Sequence, residues 1–219
     1  GSPDIETQAK HLTPIVVAEE DRDVVMDILT KYGISNKSLL VGIHAGSGGT
    51  ATSRRWKPDN FGVIADRIIT DYGMRVVFTG SKHERPLVEA IRSNMKYRSS
   101  SFNLAGNLTL SQLPAAIQRF TAFVSNDTGP LHIAAAMKTP VVALFGPNSP
   151  LRYGPIGKGH HVIYKALKCS PCILAHEGIV PHCPNNECMK QINVSEVWKA
   201  LRMMLNEASP QKPQSDSQI

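Results

Sequence analysis

The chain has 219 residues, 42% of them hydrophobic and 19% charged, which suits one large globular domain or two small ones. Its net charge of +6 favours phosphate-bearing ligands, whereas only 6% aromatic residues and no run of five like charges disfavour a nucleic-acid platform. No apolar stretch approaches the length of a membrane span, and no secretory signal peptide is recognisable. We therefore expect no nucleic-acid partner and no transmembrane segment.

Short apolar runs alternate with stretches of helical spacing along most of the chain. Apolar runs predict strands at 15–17, 39–44, 75–79, 101–104, 121–125, 140–145 and 160–164. Helical spacing, capping residues and glycine stops predict helices at 19–32, 58–72, 81–95, 109–119, 129–137 and 193–206. This alternation predicts an α/β fold with a Rossmann-like, doubly wound parallel sheet. We expect a polar lead-in or linker at 1–14, one domain at 15–207 and a disordered tail at 208–219.

The junction between the strand at 121–125 and the helix at 129–137 is the first candidate site. Pro130 suits a first helical turn, and the free N–H groups and dipole of that turn favour an anion. Asp127 and His132 flank the junction, and His132 lies one turn into the helix. Two structural alternatives stay open, because Asp127 or Thr128 could cap the helix and His132 could be a core histidine.

Ligands of doubly wound sheets bind beyond the carboxyl ends of the strands. The loops at 45–55, 79–81, 105–106, 126–129 and 145–149 are all predicted at that edge. Residues 46–51 match the dinucleotide pattern G-x-G-x-x-A, and the following Arg54 and Arg55 suit a pyrophosphate. A nicotinamide site is disfavoured, because the next helix starts only at Pro58 and no acidic residue ends the second strand. A surface loop with two solvated arginines is the alternative.

Every cysteine lies within the irregular segment 166–190. Cys169 and Cys172 form a C-x-x-C pair, and Cys183 and Cys188 follow ten residues later with four residues between them. Four such thiols suit a structural zinc or iron site, with His176 and His182 as spare ligands. Two disulfides or free thiols are the alternatives.

Several short motifs occur together in a fixed order, and together they are specific. They are H-A-G-S-G at 44–48, R-R-W at 54–56, F-T-G-S at 78–81 with Glu84, N-L-A-G at 103–106, D-T-G-P-L-H-I-A at 127–134 and L-F-G-P at 144–147. Over residues 15–207 the sequence resembles the C-terminal half of a family-nine glycosyltransferase, the heptosyltransferases of bacterial lipopolysaccharide core assembly. The resemblance implies one half of a two-domain GT-B enzyme, with the acceptor-binding N-terminal domain expected to be absent from this chain.

The resemblance also implies a role for each residue of the donor site. The loop at 46–48, made of Gly46, Ser47 and Gly48, would hold the diphosphate with Arg54 or Arg55. Glu84, after the turn at Gly80 and Ser81, would approach the nucleotide ribose, although a capping box with Ser81 is the equal alternative. Asp127 would hold sugar hydroxyls, with His132 beside it, and Thr128 and Gly129 would present N–H groups to the phosphates. These residues form the predicted donor-binding set.

The implied reaction is an inverting displacement that transfers heptose from ADP-heptose to a lipid or saccharide acceptor. It requires no cofactor, its general base is expected in the N-terminal domain, and this chain alone is expected to transfer little. The expected location is the bacterial cytoplasm, with peripheral association at the inner face of the inner membrane as the alternative for the whole enzyme. A nicotinamide-dependent oxidoreductase and a non-catalytic scaffold with a metal-stapled docking loop are the competing functions.

Overall fold

The structure, a computed structural model, describes residues 15–48, 52–173, 179, 183 and 185–208. Six strands run through these residues: β1 (Leu40–His44), β2 (Arg75–Thr79), β3 (Ser101–Asn103), β4 (Ala122–Asn126), β5 (Val141–Phe145) and β6 (His161–Tyr164). Eight α helices accompany them: α1 (Glu19–Lys31), α2 (Pro58–Tyr72), α3 (Arg85–Ser93), α4 (Gln112–Gln118), α5 (Gly129–Ala136), α6 (Pro150–Tyr153), α7 (Glu187–Lys190) and α8 (Val194–Ala208).

The strands form one parallel sheet in the order β3-β2-β1-β4-β5-β6. β1 pairs with β2 on one side and with β4 on the other, so the strand order reverses between β1 and β4. All five residues of β1, β4 and β5 are buried, as expected for parallel strands covered on both faces. The expected Rossmann-like, doubly wound fold is therefore confirmed, and its switch point lies between β1 and β4.

Helices pack on both faces of the sheet. On one face, α2, α3 and α8 contribute side chains such as Ile64, Ile91 and Leu201 to a buried core. On the other face, α1, α4 and α5 contribute Leu29, Ile117 and Leu131 to a second core. The ends of these helices follow local chemistry: α2, for example, has Pro at its first position and ends at a left-handed glycine with φ 63°.

Two predicted segments differ from the structure. Residues 15–17 form no strand: Val17 belongs to the core that α1, α4 and α5 cover, while Val16 is 92% exposed. The segment 166–190, predicted to be irregular, contains the short helix α7. The lead-in 1–14 and the tail from 209 lie outside the described residues, and residue 208 belongs to α8.

None of the helices in the described part of the chain combines the length and apolar character that crossing a membrane requires.

Candidate functional site

A cavity of about 430 Å³ lies at the carboxyl ends of β1, β2 and β4, beside the switch point. It is lined by His44, Ser47, Gly48, Arg54, Thr79, Gly80, Ser81, Glu84, Leu108, Thr109, Leu110, Leu113, Thr128, Gly129 and Pro130. Its volume is in the range of small-molecule sites. Most of the predicted donor-binding set therefore meets in one place, whereas Gly46, Arg55, Asp127 and His132 are not part of the lining.

The Glu84 carboxylate joins two of the predicted loops beneath this cavity. Its Oε1 accepts the N–H groups of Ser47 (3.0 Å) and Gly48 (3.1 Å), and its Oε2 accepts the N–H (2.8 Å) and hydroxyl (3.0 Å) of Ser81. These four bonds fill the acceptor positions of a carboxylate. A Cβ at Gly46 would lie 2.0 Å from Oε1 of Glu84, so any larger residue there would displace this carboxylate. The capping role of Glu84 is confirmed, and its contact with a ribose stays a prediction.

The environment keeps Glu84 charged and His44 neutral. Burial alone would raise the pKa of Glu84, but hydrogen bonds from Ser81 and Gly48 lower it below its usual value. Burial lowers the pKa of His44 to about 4, against the opposing effect of Glu84 and helped by the charge of Arg55. Nδ1 of His44 lies 3.1 Å from the hydroxyl of Thr79. A neutral imidazole therefore lines the cavity at physiological pH.

Arg54 connects the cavity to Asp127, which lies behind it. Nη1 of Arg54 donates to the main-chain oxygen of Asp127 (3.1 Å) and lies 3.5 Å from its Oδ2. The same Oδ2 accepts a hydrogen bond from Nδ2 of Asn148. Asp127 does not cap α5, because Thr128 is the N-cap residue, and no side-chain cap bond is formed. The capping alternative is therefore wrong for Asp127, whereas Thr128 occupies the N-cap position without a side-chain capping bond.

Arg55 and His132, which also lie outside the lining of the cavity, have different surroundings. Arg55 braces the glycine-rich loop, donating to the hydroxyl of Ser47 (3.0 Å) and to the carbonyl of Gly48 (3.2 Å). The alternative of two solvated arginines is thus wrong, since Arg54 and Arg55 both bind the protein. His132 is exposed on α5, so it is not a core histidine. Its contact with a ligand stays a prediction.

Two features of the site had no counterpart in the predicted set. Asn126 ties β4 to the glycine-rich loop: its Oδ1 accepts the N–H of Trp56 (3.0 Å), and its Nδ2 donates to the carbonyls of Ala45 (2.9 Å) and Gly46 (3.1 Å). Leu108, Leu110 and Leu113 form an apolar wall of the cavity. The spacing of three leucines beside the loop at 105–106 is a signal that could have indicated this wall.

The sequence pattern of glycosyltransferase family 9 (heptosyltransferase) matches residues 14–178. That match covers most of the chain. The chain belongs to glycosyltransferase family 9. One relative, lipooligosaccharide heptosyltransferase 2 of Haemophilus influenzae, is 38% identical over 105 residues, which are 47% of this chain and 30% of that protein.

Solved structures of the family share the fold. The family 9 glycosyltransferase of Veillonella parvula superposes with a TM-score of 0.75 and 25% identity, over 89% of this chain and 54% of that one. The E. coli ADP-heptose lipopolysaccharide heptosyltransferase II gives a TM-score of 0.71 and 23% identity, over 92% and 57%. The sheet is thus of the kind that forms one half of a GT-B glycosyltransferase. The chain covers slightly more than half the length of the two solved structures and 30% of the Haemophilus influenzae relative.

A more distant structural neighbour also shares the fold. The E. coli protein TibC is described as a dodecameric iron-containing heptosyltransferase in complex with ADP-D-beta-D-heptose. It superposes with a TM-score of 0.58 over 80% of this chain and 49% of that one, at 15% identity. This similarity shows a shared fold alone.

The four cysteines of this family 9 chain are free thiols, so the disulfide alternative is wrong. Burial raises the pKa of Cys172, and Cys183 and Cys169 raise it further, so these thiols lie within electrostatic reach of one another. Burial also raises the pKa of Cys188. Nevertheless, no three metal-ligating side chains among the described residues are already arranged around a metal position. The spare ligands His176 and His182 lie outside the described residues.

Proposed function

We propose that this chain binds ADP-heptose or a related nucleotide sugar, as the donor half of an inverting heptosyltransferase in lipopolysaccharide core synthesis. The observation that carries the proposal is the cavity at the switch point, where Arg54, the first turn of α5 and the loop held by Glu84 converge. Relatives named as heptosyltransferases, and a neighbour described in complex with ADP-D-beta-D-heptose, support the choice of ligand.

The diphosphate is assigned to Arg54 and the start of α5. The N–H groups of Ser47 and Gly48 already donate to Glu84, so they contribute to phosphate binding only if a ligand replaces that carboxylate. Arg54 lines the cavity with its side chain 27% exposed, and Thr128 and Gly129 supply the N–H groups at the start of α5. Pro130 has no N–H, and that of Leu131 donates to the carbonyl of Thr128 at 3.1 Å. The guanidinium of Arg54 and the N–H groups at the start of α5 are hydrogen-bond donors that suit the negatively charged diphosphate.

The base, the ribose and the sugar of the donor are assigned to residues around this diphosphate site by their chemistry. The apolar wall of Leu108, Leu110 and Leu113 suits the face of a nucleobase. We assign the ribose to the part of the cavity lined by Ser81 and Glu84, where a ribose hydroxyl would replace one of the donors now bonded to Glu84. Asp127, behind Arg54, is assigned to sugar hydroxyls.

In the proposed reaction an acceptor hydroxyl attacks the anomeric carbon from the face opposite the leaving group. The bond to the nucleoside diphosphate breaks, its electron pair stays on the departing oxygen, and the configuration inverts. Arg54 and the start of α5 stabilise the charge that grows on the leaving phosphate. The general base and the binding site for the lipid or saccharide acceptor are assigned to the N-terminal domain of the whole enzyme. We place that enzyme in the bacterial cytoplasm, at the inner face of the inner membrane.

Calorimetric titration of this chain with ADP, ADP-heptose, UDP and NADH tests the proposal. We expect binding of ADP and ADP-heptose, and about a tenfold to hundredfold loss of both affinities in Arg54→Met, because hydrogen bonds to charged groups contribute roughly 1.5–3 kcal/mol. Lys57→Met is the matched control: Lys57 is exposed and, among the residues that the structure describes, forms its ion pair with Asp59 alone, at 3.3 Å, so affinity should not change.

The other outcomes distinguish the competing functions. A preference for UDP would keep the glycosyltransferase and change the donor, whereas a preference for NADH would support an oxidoreductase. Absence of binding to all four compounds would favour a non-catalytic scaffold. Measurable heptose transfer by this chain alone would contradict the assignment of the general base to another domain.

For the cysteine segment we propose a structural zinc or iron ion, for which the described side chains would have to rearrange. The raised pKa values of Cys172 and Cys188 indicate that burial and neighbouring thiols penalise each thiolate, and a bound dication would offset that penalty. The segment is already tied to the loop after β5, since the N–H groups of Cys172 and Ile173 donate to the carbonyl of Pro147 at 2.8 and 2.9 Å. A metal here would therefore stiffen the edge of the donor site.

Elemental analysis after dialysis tests the metal proposal. We expect one zinc or iron ion per wild-type chain and about none in Cys169→Ser/Cys172→Ser, which removes two of the four ligands. Thermal unfolding of both proteins, with and without a chelator, measures the stabilisation. Absence of stoichiometric metal from the wild type would contradict the proposal.

A further inference from the structure

Asn148 is a buried polar residue that the implied donor site does not use. It follows Pro147 in the loop after β5 and is 5% exposed. Its Nδ2 donates to Oδ2 of Asp127, while its Oδ1 is buried and has no hydrogen-bond partner in the described part of the chain. The amide orientation follows from chemistry, because the opposite assignment would place its oxygen against a carboxylate oxygen.

The second free acceptor belongs to Asp127. Its Oδ2 receives Asn148 and faces Nη1 of Arg54 at 3.5 Å, so both neighbouring donors lie on the same oxygen. No residue of the described ranges donates a hydrogen bond to its Oδ1. Oδ1 of Asp127 and Oδ1 of Asn148 thus remain as two acceptors on adjacent side chains. Of the two, Oδ1 of Asn148 is a buried atom without a partner. Leaving a buried acceptor unpaired destabilises a fold, so this atom is expected where a ligand brings a hydroxyl donor.

The loop that carries Asn148 is firmly held. Two N–H groups of the cysteine segment donate to the carbonyl of Pro147, and the hydroxyl of Ser170 donates to the carbonyl of Gly146. Gly146 packs so closely that a Cβ would lie 2.4 Å from Sδ of Met189. The amide therefore holds its position without a ligand, as preorganised recognition requires.

We propose that Asn148 is a specificity-determining residue for the sugar of the donor. It fixes the Asp127 carboxylate and, with it, presents two acceptors to neighbouring hydroxyls of the sugar ring. This inference rests on the proposed function, and it adds a residue that recognises the sugar of the donor and not its nucleotide. Arg54, which lines the cavity and contacts Asp127, marks the end of the cavity where that sugar would lie.

The test compares ADP with ADP-heptose in calorimetric titrations of Asn148→Leu, a replacement of similar size without polar atoms. We expect affinity for ADP-heptose to fall about tenfold or more while affinity for ADP stays within about twofold. Asn148→Ser, which keeps one donor and one acceptor, should lose less. Asn94→Leu, at an exposed asparagine that ends α3, is the control and should bind both compounds as the wild type does.

A double-mutant cycle with Asp127→Ala separates recognition from folding. If the two residues act as one acceptor pair, the double variant should lose no more sugar-specific affinity than Asp127→Ala alone. Equal losses for ADP and ADP-heptose, with a lowered melting temperature, would assign Asn148 to the fold and overturn the inference. Unchanged binding of ADP-heptose by Asn148→Leu would overturn it as well. Binding of neither compound by the wild type would instead refute the proposed function and, with it, this inference.

Discussion

The strongest pH-dependent prediction concerns His44. It is 5% exposed, and burial lowers its pKa from 6.5 to about 4. Between these two values the unfolded chain binds a proton that the folded chain excludes, so stability falls as the pH falls through this window. The two pKa values give a loss of about 2 kcal/mol between pH 7 and pH 5, rising to roughly 3 kcal/mol below pH 4.

Urea denaturation of the wild type and His44→Gln at pH 7 and pH 5 measures this effect. Glutamine keeps a polar group near the Thr79 hydroxyl but does not titrate, and all other titrating groups are common to both proteins. We expect the free energy of unfolding to fall by about 2 kcal/mol more in the wild type than in the variant. A difference between the two proteins below about 0.5 kcal/mol would refute the assignment of a buried neutral imidazole.

Three substitutions test contacts around the site by the same denaturation assay. Glu84→Gln replaces one of the two carboxylate oxygens, which together accept four hydrogen bonds, by an amide nitrogen that cannot accept any. We expect the free energy of unfolding to fall by about 2–4 kcal/mol and ADP binding to weaken about tenfold. Unchanged ADP binding would show that the loop does not need this anchor. Gly146→Ala places a Cβ 2.4 Å from Sδ of Met189, and a loss of about 1–3 kcal/mol is expected. Trp56→Phe removes the donor to the buried carbonyl of Ile192, at 2.7 Å, and should cost roughly 1–3 kcal/mol; a smaller loss would indicate that water replaces it.

Much of the fold follows from the sequence because its signals are local. The continuous apolar run at 39–44 predicts a strand covered on both faces, and β1 is buried at all five positions. Reciprocal capping is equally local: Thr109 and Gln112 bind each other's N–H groups at 2.9 and 3.3 Å, as their spacing predicts. The strand predicted at 15–17 is wrong because an apolar run does not by itself specify a pairing partner.

The site depended on contacts that local patterns do not encode. Glu84 reaches the glycine-rich loop 37 residues earlier, and Asn148 reaches Asp127 across 21 residues. Both contacts arise only when the crossovers bring separate loops to the same edge of the sheet. Sequence alone thus determined the six strands of the sheet, the longer helices and which loops would lie at the same edge of the sheet. The tertiary structure decided which donors in those loops are already occupied and which acceptors are left for a ligand, because hydrogen bonding between distant loops depends on their packing.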